Sequence, residues 1–397
     1  DTYRHWETLP ARKGPPMTEY RKALCGELPQ IIEFIDMVFS LSGTPHDFAS
    51  LVPKLYGNGK NTEPCHFLAL EEGKIKAVVC SLPVTLRFGS RSLTCAAIGS
   101  VAVHPDSRGK GYMKRLMNDA IRDMKENHMA LSCLTGLRQR YRYFGYEPCG
   151  SVMTYRFSRD NFRHCRHAFS HYDVSLREVT GVQDPVWEEI ARLHKALPYR
   201  ADRSAADFKD ISGSWYEKTY EVLHSGAFAG YLTAGKNTVS ELLLKDESMV
   251  FSCLETYFRE ISDPELLLEV YPHETGRMET LSACCERWQM RQDDNYRILD
   301  FEAVLSFFLS LKAASEPLMD GSTILSVENN GSYLLTVTDG IPFVSRTSEI
   351  SSSPLSETEA IRFLFSPDYQ ETRALVSRNS RINWFPLPLS LCCLDKC

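Results

Sequence analysis

Apolar positions along residues 1–157 switch repeatedly between helical and strand spacing. Ile31, Ile32, Phe34, Ile35, Val38 and Phe39 recur at three- and four-residue steps and predict an amphipathic helix. Strands are predicted over 66–70 and 75–82, joined by the hairpin chemistry of Glu71-Glu72-Gly73-Lys74. Another follows over 84–88, then the turn Gly89-Ser90-Arg91 and a long strand over 93–103. Next come a helix from about 111 to 126, a strand over 130–134, a short Arg/Tyr-rich helix and a strand over 151–157.

Residues 158–296 repeat that order more faintly. A strand at 174–179 precedes helices at 184–196 and 204–211. Strands at 220–223, 227–234 and 239–244 follow, then a helix at 249–261 and a strand at 265–270. The repeated order predicts a structural duplication. From 297 the pattern changes. Phe301, Val304, Leu305, Phe307, Phe308 and Leu311 mark a helix that ends at Glu316-Pro317. Strands at 323–327 and 333–337 flank Asn329-Asn330-Gly331, a hairpin turn, and a strand at 343–345 and a helix at 357–365 complete the unit. The segment Trp384-Phe385-Pro386-Leu387-Pro388-Leu389 is too apolar for a solvated tail and predicts docking into a groove. The expected fold class is α+β, in three units: 1–157, 158–296 and 297–397.

Composition narrows the functional classes. The chain has 397 residues, 43% hydrophobic and 24% charged, enough apolar surface for several cores. A net charge of −6 argues against general binding to nucleic acid, although a local basic patch could still hold one anion. No apolar run reaches the ~20 residues of a membrane helix; residues 385–394 are short and carry two prolines. The start, Asp1-Thr2-Tyr3-Arg4-His5-Trp6, lacks the apolar core of a secretory signal. Thirteen scattered cysteines, an odd number, suit buried free thiols in a reducing compartment better than a disulfide scaffold. The expectation is a soluble cytoplasmic protein.

The most informative stretch runs Ile98-Gly99-Ser100-Val101-Ala102-Val103-His104-Pro105-Asp106-Ser107-Arg108-Gly109-Lys110-Gly111-Tyr112-Met113. A strand ends, a tight polar turn follows, and a helix opens. Glycines at 109 and 111 let backbone N–H groups converge on an anion, and the helix N-terminus adds positive partial charge. The spacing lacks the third glycine of a dinucleotide fingerprint and the Gly-Lys-Ser/Thr of a P-loop. Downstream, Tyr141, Phe144, Gly145 and Tyr146 form Tyr-x-x-hydrophobic-Gly-Tyr. Arg138, Arg140 and Arg142 beside it suit a solvated helix face or a phosphate partner.

Arg-x-x-Gly-x-small after a strand ending Val-x-Pro resembles the pyrophosphate loop of GNAT-type N-acetyltransferases. Together with the Tyr-x-x-hydrophobic-Gly-Tyr pattern and the three-unit order, the chain resembles the Eis (enhanced intracellular survival) group. That resemblance implies two tandem GNAT-like mixed-sheet domains, the second degenerate, followed by a sterol-carrier-protein-like α+β domain. It implies acetyl-CoA as cosubstrate, held by Val101, Ala102, Val103 and the loop Arg108, Gly109, Lys110, Gly111, Tyr112 and Met113. It implies Tyr141 as general acid toward the departing thiolate, and the terminal α-carboxylate, here of Cys397, as base toward the amine. The implied reaction is direct acetyl transfer to a primary amine of aminoglycoside, polyamine or lysine type. The implied assembly is a homo-oligomer such as a hexamer, with no nucleic acid, membrane or metal required. In the second unit the corresponding turn, Lys245-Asp246-Glu247-Ser248, is acidic where a diphosphate would sit, so that site is expected to be dead. His164, Cys165, His167 and His171 lack regular ligand spacing and are read as metal-free. The rival reading is an inactive carrier or regulatory protein that holds an apolar ligand in the C-terminal unit.

Overall fold

The computed structural model describes residues 17–261, 263–368 and 383–397. Two mixed sheets and a small antiparallel one frame the chain. In spatial order the first sheet runs Thr18–Lys22, His66–Glu71, Lys74–Phe88, Arg91–Val103, Leu131–Leu134, Asp294–Ile298 and Glu147–Cys149. Tyr199–Ala201 pairs with the far end of Lys74–Phe88. Only Arg91–Val103 and Leu131–Leu134 run parallel, from Cys95 opposite Leu131 to Ile98 opposite Leu134; beyond that point they part. The second sheet runs Val174–Glu178, Lys218–His224, Ala227–Gly235, Thr238–Leu244, Glu265–Val270, Val152–Ser158 and Arg287–Arg291. Its parallel pair, Thr238–Leu244 with Glu265–Val270, holds at two positions and then also parts. The two sheets share one topology, as the repeated pattern predicts.

They also trade strands. Val152–Ser158, which periodicity assigns to the first unit, lies in the second sheet between Glu265–Val270 and Arg287–Arg291. Asp294–Ile298, from the end of the second unit, lies in the first sheet between Leu131–Leu134 and Glu147–Cys149. Cuts at 157/158 and 296/297 therefore do not coincide with the sheets. Alternation along a segment reports that it pairs and which face it buries, but not which neighbour it pairs with. A second difference concerns Pro83, where the sequence divides the long strand in two. Lys74–Phe88 is continuous, because His66–Glu71 pairs with it only up to Cys80 and Tyr199–Ala201 only from Leu86. Pro83 sits in the unpaired gap between them, where a residue without an N–H is tolerated.

The helix Tyr112–Glu126 packs its buried stripe, Tyr112, Leu116, Met117, Ala120, Ile121 and Met124, on one face of the first sheet. The helix Leu28–Ser40 covers the opposite face through Leu28, Ile31, Phe34 and Ile35. The last unit sets the helix Phe301–Ser315 against Gly321–Val327, Gly331–Thr338 and Ile341–Thr347, with the helix Glu357–Phe365 beyond. Residues 383–397 thread through all three units. Trp384 is fully buried and donates from Nε1 to the Met319 carbonyl at 2.9 Å. Asp395 pairs with the buried Arg203 at 2.8 Å, and Lys396 with Asp293 at 2.7 Å and Asp294 at 3.0 Å. The tail docks, as its composition predicts, and it is held at its end by ion pairs.

Burial drives three imidazoles toward neutrality. His66, His194 and His273 are each lowered to about 4. A histidine whose folded pKa is depressed stabilises fully above its unfolded value, near 6.5, and that stability is lost as pH falls toward 4. Glu217, raised to about 7 by burial, acts in the opposite sense below pH 7, as do Asp36, Glu260, Glu274 and Asp294, whose carboxyls burial also raises. We expect the melting temperature to fall from pH 7 to pH 5, each histidine contributing at most about 3 kcal/mol. A melting temperature that holds or rises across that window would show that these imidazoles do not control acid stability.

Candidate active site

The strand Arg91–Val103 breaks its pairing where it leaves Leu131–Leu134. Val78 faces Ala102 and Cys80 faces Gly99, so Ser100 and Val101 together stand opposite Val79. Ser100 takes φ 48°, a left-handed conformation that costs a side-chain-bearing residue about 1 kcal/mol or more. Such a bulge takes backbone groups out of the ladder and re-aims them.

The strand then runs through the single turn Pro105–Ser107 into the glycine loop. Gly109 and Gly111 take φ 80° and 84°, and space around both is open. No side chain caps the helix that starts at Tyr112, so its first N–H groups are available. Arg108 is exposed and its side chain makes no ion pair or hydrogen bond among the described residues, while Lys110 is tied to Glu71 at 3.1 Å. Uncapped N–H groups, two left-handed glycines and a free guanidinium fit a diphosphate. Tyr112 contributes only its backbone: its side chain is buried and its hydroxyl bonds to the Glu71 carboxylate. Met113, Val101 and Val103 are half-buried against the same core, and Ala102 is buried on the opposite face. Gly111→Asp forces an L residue into φ 84° and aims a carboxylate at the phosphate position. Calorimetry is expected to show acetyl-CoA binding at least about tenfold weaker; undiminished affinity would place the diphosphate elsewhere.

Tyr141 ends the short helix Arg138–Tyr141 and joins Ile98, Leu134, Tyr112 and Leu116 in one apolar cluster. Its ring lies over Gly136, where even a Cβ would collide with it. Burial raises the phenol's pKa, and the adjacent Arg140 pulls it partly back. The phenol therefore keeps its proton at neutral pH. Arg138 and Arg142 do not form a free basic face: both turn toward the buried Glu147, Arg138 at 3.1 Å through Nε.

The chain's last described residue arrives from the other side of the sheet. A Cβ on Gly99 would lie 2.5 Å from the Cys397 carbonyl carbon and 2.7 Å from its sulfur, so only glycine admits the tail here. Cys397 Sγ donates to the Ala97 carbonyl at 3.0 Å. Its thiol is lowered, first by a hydrogen bond from Cys80 and then, against burial, by the Lys54 charge; Cys80 is raised in return. Tyr141 and Cys397 thus approach the bulged strand from opposite faces.

Sequence reasoning missed four groups beside them. Lys54, buried, donates to the carbonyls of Leu394 and Lys396, and burial lowers its pKa. Tyr56 bonds to Ser100 Oγ at 2.6 Å and to His66 Nε2 at 3.0 Å, and His66 Nδ1 lies 2.8 Å from the Thr62 carbonyl. With Nδ1 protonated toward Thr62, Nε2 accepts the Tyr56 proton and Tyr56 accepts that of Ser100. This line of hydrogen bonds runs from the bulge to a neutral imidazole. A polar Tyr56 and His66 in apolar surroundings were the available signal. The four residues of the metal-like cluster do not gather: among the described residues no group of three or more His, Cys, Asp or Glu could hold a metal ion.

Comparison with known proteins agrees with this geometry. Residues 19–149 match the family model described as an acetyltransferase (GNAT) domain. No curated protein matches the chain by sequence. Among solved structures, a GCN5-related N-acetyltransferase from Anabaena variabilis superposes with TM-score 0.65 at 18% identity, over 92% of this chain and 97% of that one. A conserved protein from Enterococcus faecalis, a probable N-acyltransferase, gives 0.62 at 14%, over 93% and 94%. Eis1 from Mycobacterium abscessus gives 0.59 at 16%, also over 93% and 94%. At these identities the likeness is one of fold, and it extends over nearly the whole chain. The matched residues carry the glycine loop and Tyr141. No helix among the described residues is long and apolar enough to cross a membrane.

Proposed function

We propose that the chain is an N-acetyltransferase of Eis type that moves an acetyl group from acetyl-CoA to a primary amine. The observation that carries this reading is the glycine loop at an uncapped helix start, next to a bulged strand that parts from its parallel neighbour. The diphosphate would lie on Arg108, Gly109 and Gly111. The thioester would enter the gap beside Ser100 and Val101, where backbone amides near Val101–Val103 polarise its carbonyl. A neutral amine attacks, the C–S bond breaks, and Tyr141 gives its proton to the departing sulfur. As a free carboxylate, the carboxyl group of Cys397 beside Gly99 would take the proton that the amine loses. The acceptor is of polyamine, aminoglycoside or lysine type, and the last unit is taken as sterol-carrier-like.

The test is release of free thiol from acetyl-CoA on mixing with a panel of such amines. Amine-dependent release abolished in Tyr141→Phe supports transfer. Release from no member of the panel, with acetyl-CoA still bound, would favour the carrier reading.

A further inference from the structure

The second sheet keeps the first sheet's parting but has lost its phosphate seat. Beyond Val239 and Leu268 the parallel strands separate, and a cavity of about 510 Å³ opens between them. At the turn that replaces the glycine loop, Asp246 Oδ1 accepts the Ser248 N–H at 2.9 Å. Glu247 engages Arg277 at 3.0 Å. The chain's own carboxylates thus hold the donors that a diphosphate would need.

The cavity itself is roofed by the docked tail, through Ser390, Leu391, Cys392 and Asp395. Five carboxylates line it against three guanidiniums, and all five are paired, Glu269 with Arg291 at 2.5 Å; of the guanidiniums, Arg200 lacks a carboxylate among the described residues. Arg203 binds Glu241 and Asp395, Arg277 binds Glu247 and Glu274, and Arg200 donates to the Leu197 carbonyl at 2.8 Å. Three other polar atoms have no hydrogen-bond partner: His273 Nδ1, Ser390 Oγ and Tyr271 Oη, the last with the Cys392 thiol beside it. Ser390 is 1% exposed. The His273 ring lies edge-on to Tyr199 at 4.6 Å and parallel to Tyr271 at 6.2 Å, and leucines form much of the remaining wall.

We propose that this second cleft binds a protonated primary amine carrying an apolar body. An ammonium group brings three donors, and the unpartnered atoms are two hydroxyl oxygens, able to accept, and an imidazole nitrogen, which accepts when Nε2 carries the ring proton. Two tyrosine faces favour a cation, and the leucines suit an aryl or alkyl body. Neither Gly99 nor the glycine loop lines the cleft, so it is separate from the acetyl site.

The probes are 1-naphthylmethylamine, a cation at pH 7.5, and 1-naphthylacetate, an anion on the same ring. Each is titrated calorimetrically into the full chain without acetyl-CoA, so the result does not depend on acetyl transfer. One amine per chain is expected, with the acetate at least about tenfold weaker. Ser390→Ala removes an unpartnered hydroxyl, so it should leave the melting temperature unchanged and weaken the amine about three- to tenfold. Leu197→Trp, on the half-buried wall, should fill the cleft and abolish binding. Equal affinity for the two probes, no heat with the amine, or undiminished affinity in Ser390→Ala overturns the proposal. Should Leu197→Trp not fold, Ser390→Ala decides alone.

Discussion

Tyr141→Phe is expected to lower turnover about 100-fold at saturating amine while leaving acetyl-CoA affinity unchanged, the scale for losing a positioned acid. The substitution deletes one oxygen and keeps the ring, which is what packs over Gly136 and against Ile98 and Leu134. A thiolate leaving group has a pKa near that of a phenol, so proton transfer from Tyr141 is close to balanced. Burial raises the phenol's pKa, and the proton therefore stays in place at neutral pH. For the wild type, the basic limb of the turnover profile should lie above the ordinary phenol value, and Phe should remove that limb. Equal turnover in the two proteins would mean that another group, or water, protonates the sulfur.

A Gly-Ser extension after Cys397 is expected to reduce turnover by a similar factor, about 100-fold, without unfolding the chain. The carbonyl carbon of Cys397 already lies where a Cβ on Gly99 could not fit, so added residues must push the tail end out or fill the gap. Arg203–Asp395 and the pairing of Lys396 with Asp293 and Asp294 anchor the tail upstream, and they hold the fold while its end moves. Burial opposes the Lys396 charge, but the two aspartates outweigh it and raise its pKa, so this anchor persists at alkaline pH. Where residue 397 carries a free carboxylate, Cys397→Ala keeps it at the same place and should stay active. A fully active extension would make the tail structural, and loss in Cys397→Ala alone would point to the thiol.

The features read correctly from sequence are those with local causes. The glycine loop was legible because left-handed φ at 109 and 111 is a demand on single residues, and the helix after it because its apolar stripe repeats. That same stripe includes Tyr112, which already implied that its side chain turns inward and leaves only the backbone for a ligand. The tail's docking followed from Trp384 to Leu389 being too apolar for water. Arg287–Arg291 was invisible, since all five residues are exposed and show no alternation of burial. Lys54, Tyr56 and His66 escaped because their importance lies in meeting a strand and a tail distant in sequence. The traded strands escaped for the same reason: nothing in Val152–Ser158 names Glu265–Val270 as its partner.

That trade sets an order on synthesis. As the chain emerges, Leu131–Leu134 has no second neighbour until Asp294–Ile298 has been made, and its bare edge must wait through the whole of the intervening unit. Neither sheet closes without a segment from the other, so the two should melt in one transition, and a cut between them should yield two sticky fragments instead of two working halves. The middle of the chain therefore cannot be discarded, whatever becomes of its own turn at 245–248, because Asp294–Ile298 completes the first sheet.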